Sequence, residues 1–141
     1  MASADANRKR IIKALEAFNG GNLEQYRGSS AEDAAIHGLP AGIEPSPRGL
    51  RTFLETLLQG LPDIRVSIED TVAEADLVAL RLTYAGTHRG ELLGASPTGK
   101  RISWNGLTIR RFDENSLTVE RWIRNDTDSL RAELGLRLDG G

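Results

Sequence analysis

Apolar positions in the first third of the chain recur at helical spacing: Ile11, Ile12, Leu15 and Phe18 fall on one face, while Lys13, Glu16 and Asn19 point elsewhere. Gly20-Gly21 then removes the helical preference and predicts the end of an amphipathic helix. Leu23 to Tyr26 adds one short turn, and the small residues from Gly28 to Ala35 specify little, so only a brief strand is expected near Ile36. Three prolines and Gly42 make a loop of residues 39–47, where Ser46-Pro47 supplies an N-cap and a first-turn proline for a second helix. Leu50, Phe53, Leu54, Leu57, Leu58 and Leu61 form its apolar stripe, and Pro62 stops it.

Beyond Pro62 the period changes to two. Ile64, Val66 and Ile68 alternate with Arg65, Ser67 and Glu69, and long strands are predicted over residues 77–88, 100–112 and 117–125. The short turns at residues 74–76 and 113–116 imply antiparallel neighbours. Asp126-Thr127 caps a closing helix that carries Leu130 and Leu134 on one face and ends at Gly135. Helices first and long strands afterwards predict a single α+β domain over residues 1–141, with helices on one face of a strongly curved, mostly antiparallel sheet. A curved sheet leaves a cup, and such concavities are where small molecules bind, typically in about 300–1,000 Å3 of mostly apolar space.

Composition narrows the chemistry. With 141 residues, 39% hydrophobic and 27% charged, the chain has the size and balance of one globular domain. A formal charge of -2 provides no field for gathering phosphate backbones or anionic membranes, so neither nucleic acid nor a membrane is an expected partner. The absence of cysteine excludes disulfides and thiolate chemistry, and residues 1–6 lack the apolar core of a signal peptide, which makes the cytoplasm the expected location. Two histidines and no cysteine are a thin ligand inventory, and no metal is expected. The dispersed Gly86, Gly90, Gly94 and Gly99 read as bends and turns, and Arg8-Lys9-Arg10 and Arg110-Arg111 as solvated faces.

Leu61-Pro62-Asp63, the segment from Gly86-Thr87-His88-Arg89-Gly90 to Gly94, Pro97-Thr98-Gly99-Lys100 and the ending Leu134-Gly135 together resemble the SnoaL-like polyketide cyclase family. The resemblance extends from His37-Gly38-Leu39-Pro40 almost to the end of the chain. It implies the cone-shaped α+β barrel of the nuclear-transport-factor-2-like superfold. It also implies an enzyme that tailors aromatic polyketides, closing a ring by an aldol step or hydroxylating a ring without bound metal or flavin. In the cyclases of this family an acidic residue on the last strand and a histidine on the strand before it move the proton. Counting back from Leu134-Gly135 places Ile123 at the acidic position and Thr108 or a neighbour at the histidine. That departure points to the hydroxylating branch.

Either reaction passes through an enolate or phenolate and needs a proton-transfer group, donors for the oxyanion and walls that exclude water. His88, at a strand end in the matching segment, is a candidate for proton transfer, against the plainer reading of a packed histidine. Asp126 is a candidate acid or base, although a helix cap is its stronger reading. Asn125 and Arg121 share strand parity with Ile123, so all three face the cup together if one does: Asn125 as a donor to substrate, Arg121 for an oxyanion or carboxylate, Ile123 as wall. Trp104, Asn105 and His37 complete the substrate-binding candidates, with His37 in the loop at the mouth. Trp104 and Trp122 are out of phase with Asn105 and Arg121, so one set lines the cup and the other an outer face suited to a homodimer through the sheet.

The sequence is therefore expected to encode a cofactor-independent hydroxylase of an anthracycline-type ring. It would use O2 as co-substrate on a small apolar polycyclic molecule, with a separate reductase as partner. Two alternatives stand beside it: an intramolecular aldol cyclase using Asp126 and His88, and a non-catalytic binding module on the same fold.

Overall fold

Helices and one sheet divide the apolar positions of the chain between them in the structure, a computed structural model that describes residues 3–136. In chain order the elements are α1 (Ala4–Asn19), α2 (Leu23–Arg27), β1 (Ser30–His37), α3 (Pro47–Gly60), β2 (Arg65–Glu74), β3 (Leu77–Thr87), β4 (Arg101–Phe112), β5 (Thr118–Asn125) and α4 (Thr127–Glu133). The caps follow the sequence signals. The Ser46 side chain accepts from the Gly49 amide with Pro47 in the first turn, and Asp126 accepts from the Ser129 amide. Gly135 lies just after the last helix with a φ of 75°, the left-handed conformation that glycine adopts freely.

The sheet runs in the order β1-β5-β4-β3-β2. Its four later strands are antiparallel neighbours, while β1 pairs with β5 in parallel, so the sheet is mixed. The strand expected only near Ile36 spans eight residues. Ser30 to Ala35 have weak strand preference of their own, and it is pairing with β5, through a register shift between Ser30 and Ala35, that makes them extended.

Burial alternates along β4 from Ile102 to Phe112, which puts even-numbered residues on the inner, helix-covered face and odd-numbered ones outside. On β5 the parity reverses, because Thr108 stands opposite Ile123, Arg110 opposite Arg121, and Gly106 beside Asn125. The main core forms where Ile11, Leu15 and Phe18 of α1, Leu57 of α3 and Leu130 of α4 meet Val66, Leu80, Leu82, Ile102 and Trp104 of the sheet. A smaller cluster of Ala34, Ile36, Leu50 and Ile123 seals the β1 side. On the outer face Leu107 and Ile109 remain exposed. Among the described residues no helix is long and apolar enough to cross a membrane.

Candidate functional site

Phe53 and Leu54 belong to the α3 stripe yet are only partly buried, since beneath them the concave face leaves a chamber rather than closing on the helix. The chamber has two compartments. The inner one, about 30 Å3, is walled by Tyr26 of α2, Tyr84 of β3, Trp104 of β4 and Arg121, Ile123 and Asn125 of β5. That volume holds on the order of two waters. The outer one, about 320 Å3, opens between Pro40, Leu93 and Leu130 and shares Phe53, Leu57, Trp104, Ile123 and Asn125 with the inner. Together they reach the size of a small-molecule site.

Gly106 makes the inner compartment sterically possible. It occupies an inward position of β4, and a Cβ there would come within 2.6 Å of Asn125 Oδ1 and 3.0 Å of the Tyr84 ring. Tyr84 and Trp104 stack across adjacent strands with centroids 5.2 Å apart and planes 15° from parallel, forming a flat apolar wall. Trp104 Nε1, Arg121 Nε and Asn125 Oδ1 are all buried and have no hydrogen-bond partner among the described residues. Buried polar atoms are normally paired, and unpaired ones in the walls of one chamber suit a polar ligand.

The far end of the inner compartment is cationic. Arg110 and Arg121 are 1% and 4% exposed and stand directly opposite each other, an arrangement of like charges that is ordinarily unfavourable. Among the described residues neither forms an ion pair with a carboxylate. Arg110 donates to the hydroxyls of Ser29 and Thr118, both at 3.2 Å, and lies over the Tyr26 ring at 5.8 Å; Arg121 donates to the Tyr26 hydroxyl at 3.0 Å. Burial, reinforced by the charge of Arg121, brings the Arg110 guanidinium down to about 10. Burial alone would raise the Tyr26 phenol, but the fields of Arg121 and Arg110 and their hydrogen bonds outweigh it, so it ionises below the ordinary tyrosine range. Burial dominates at Tyr84, aided by its neighbour Tyr26, and pushes it up to about 12.

Of the residues singled out from sequence, Arg121, Ile123, Asn125 and Trp104 meet in the chamber walls, and the others do not. Asn105 falls on the outer face, where its side chain accepts from Thr83, because β4 parity sends only even positions inward. Each proposed pair of residues is therefore split: Trp104 and Arg121 face in, Asn105 and Trp122 face out. His37 ends β1 rather than lying in the mouth loop; it pairs with Glu120 at 2.8 Å and stacks on Trp122 outside the sheet. Asp126 is exposed and spends both carboxylate oxygens on Ser129 as the α4 cap, and those bonds hold its carboxyl below the usual range. His88 is wholly buried and absent from the chamber walls. Its Nδ1 accepts from the Thr98 amide and bonds the Thr98 hydroxyl, pinning the irregular segment 88–100 back onto β3 and β4.

Sequence reasoning missed Tyr26, Tyr84 and Arg110. Arg110 was read with Arg111 as a solvated face, yet only Arg111 is outside; strand parity, counted from Ile102 and Trp104, carried the distinction. Tyr84 shares its parity with the buried Leu80 and Leu82 of β3. Tyr26 had no local signal, since α2 is a five-residue helix whose placement depends on packing against α1 through Phe18.

The comparisons with known proteins agree with this architecture. The model of the SnoaL-like polyketide cyclase family matches residues 9–134. The chain belongs to the SnoaL-like polyketide cyclase family. Two solved structures from Streptomyces are similar to this chain along nearly its whole length. AclR of Streptomyces galilaeus, provisionally assigned as a hydroxylase, is 29% identical over 94% of this chain and 98% of its own, with a TM-score of 0.84. IdmH of Streptomyces antibioticus, provisionally assigned as a polyketide cyclase, is 30% identical over 92% and 99%, with a TM-score of 0.79. A SnoaL-like polyketide cyclase assigned in Jannaschia sp. CCS1 has the same fold at 17% identity, covering 98% of this chain and 97% of its own with a TM-score of 0.80. No curated protein matches the sequence closely enough to count as a relative. Both hydroxylase and cyclase assignments thus surround this SnoaL-like chain, whose membership makes it a polyketide-tailoring enzyme.

Proposed function

We propose that this enzyme hydroxylates one ring of an aromatic polyketide of the anthracycline type, using molecular oxygen and no tightly held cofactor. The observation that carries the reading is Ile123, at the position where the resemblance expects the acid. It faces Thr108 across β4 and β5 on the inner face, the resemblance expects the histidine at Thr108 or a neighbour, and β4 carries no histidine. Similarity to AclR supports the same branch. In the overall reaction a ring C–H becomes C–OH with one atom of O2, and the other atom leaves as water. Two electrons and two protons are consumed, the electrons coming from a separate reductase that delivers the ring in its reduced form. The chamber's part is to hold that ring against Trp104 and the α3 side chains Phe53 and Leu57 in the outer compartment, with its leading edge toward the cationic donors of the inner one.

Similarity to IdmH favours a second reading, intramolecular aldol closure of a polyketide ester. It would require a proton-transfer group other than His88 or Asp126, neither of which lines the chamber. Oxygen consumption separates the two. Supplied with a chemically reduced anthraquinone, the protein is expected to accelerate oxygen uptake and yield a hydroxylated ring. Unchanged uptake, together with ring closure of an anthraquinone ester in the absence of oxygen, would replace hydroxylation by cyclisation.

A further inference from the structure

Two buried guanidiniums directed at one phenol are costly unless something at that point carries negative charge. Removing an ion from water costs several kcal/mol even after the surroundings relax, and an opposite charge is the usual compensation. Here the described residues offer the arginines only hydroxyls: Ser29 and Thr118 for Arg110, and Tyr26 for Arg121. Of these, Tyr26 alone carries an ionisable hydroxyl, and it alone also lines the chamber.

We propose that Tyr26 is the proton-transfer residue of this chamber, with Arg121 as its counter-ion and Arg110 as a positioning residue behind the ring; the assignment deepens the ring-tailoring reading and rests on it. As phenolate, Tyr26 Oη takes the proton of an acidic ring hydroxyl of the bound substrate. The substrate O–H bond breaks, the Tyr26 O–H bond forms, and the negative charge passes to the substrate oxygen. Arg121 is placed to serve both ends of that transfer, because Nη1 holds Tyr26 Oη while Nε has no partner among the described residues and remains for the new oxyanion. The ring phenolate so formed is the electron-rich species that reacts with oxygen, and the protonated Tyr26 can return its proton to the peroxide.

The groups facing Tyr26 all favour this role. Arg121 comes from β5 and Arg110 from β4, and both stabilise the anion. Tyr84 of β3 stays neutral, its own ionisation displaced to about 12. From α1 and α3 come Leu15, Phe18, Leu50 and Leu54, which do not titrate and keep the site dry. A base in this position also explains how the site works without the acid–histidine pair.

With only two tyrosines in the chain, the test needs no substrate. Ultraviolet difference titration, supported by NMR of isotope-labelled tyrosine, is expected to show one phenol ionising below the ordinary tyrosine value and one near about 12. Tyr26→Phe removes the early transition, Tyr84→Phe leaves it, and Arg121→Met moves it upward. In turnover, Tyr26→Phe lowers kcat by roughly 10²- to 10⁴-fold with KM little changed and abolishes the acid limb of the pH profile. Arg110→Met shifts that limb upward. Should Tyr26→Phe not fold, titration of the wild-type and Tyr84→Phe proteins decides. Two phenols ionising at or above the ordinary value, or wild-type kcat in Tyr26→Phe, overturn the assignment. An early Tyr26 transition with no turnover of any aromatic polyketide, with or without oxygen, overturns the ring-tailoring reading instead.

Discussion

Arg110 and Arg111 are neighbours in sequence and opposites in circumstance. Arg111, on the outer face, reaches Asp76 at 2.9 Å and Glu120 at 3.8 Å and lies over the Trp122 ring at 5.9 Å. Arg81, also outside, pairs with Asp70 at 2.6 Å. Arg110 and its inward partner Arg121 have hydroxyls instead. The outer face balances charge in water, where each pair contributes between nothing and about 1 kcal/mol. The inner face gives its two charges no carboxylate among the described residues, where compensation matters most. Stability does not account for that inner arrangement, because two like charges facing each other out of water carry a desolvation cost that no carboxylate among the described residues offsets. A difference of this kind supports the role proposed for the inner pair.

Removing one inner charge is the severest way to break the comparison. Arg121→Met is expected to lower kcat/KM by roughly 10²- to 10³-fold, the usual loss for one oxyanion donor. Its thermal midpoint should stay at or above the wild-type value; a large fall in midpoint would return Arg121 to a structural role.

A smaller effect belongs to Asp63, at the turn before β2. Its carboxylate accepts from the Thr87 amide at 2.6 Å and the Thr87 hydroxyl at 2.7 Å. Those bonds, with Arg101 nearby, depress its ionisation below the ordinary carboxylate value. A depressed acid stabilises the fold above its unfolded-state value, and the contribution disappears as pH falls through the folded one. The side chain is 46% exposed, which limits the loss in Asp63→Asn to about 1 kcal/mol at neutral pH. The variant and the wild type should converge in acid. Denaturant unfolding at several pH values measures the gap, and a constant gap would deny the carboxylate its part.

Arg111→Met should do least. A stability change within about 1 kcal/mol and unaltered turnover are expected by the same unfolding and kinetic assays. An upward shift of the acid limb matching that of Arg110→Met would erase the distinction between the faces.

Most of the fold was legible because its signals are local. The α3 stripe from Leu50 to Leu61, the alternation from Ile64 to Ile68 and the Ser46 and Asp126 caps each needed only a short window of residues. β1 was not, since Ala31 to Ala35 become a strand only through β5, a partner more than eighty residues away. The site divided the same way. Parity grouped Arg121, Ile123 and Asn125 correctly, whereas Tyr26 joins them only when α1 and α2 close over the sheet. Asn105 and Arg110 take their faces from the phase of β4 as a whole, and His37 takes its place from the pairing that carries β1 to that residue, neither of which a short window contains.

The unequal depths of the chamber have a geometric consequence for any flat multi-ring guest. Some 320 Å3 near the entrance can accept several fused rings, while the 30 Å3 beyond admits little more than a single substituent. In the proposed reaction such a guest would stop with its body in the vestibule and one edge advanced toward Tyr26 and Arg121. The carbon that reacts would then be set by how far the guest slides inward, so enlarging the inner compartment, more than altering the chemistry, would be the route to a changed regiochemistry.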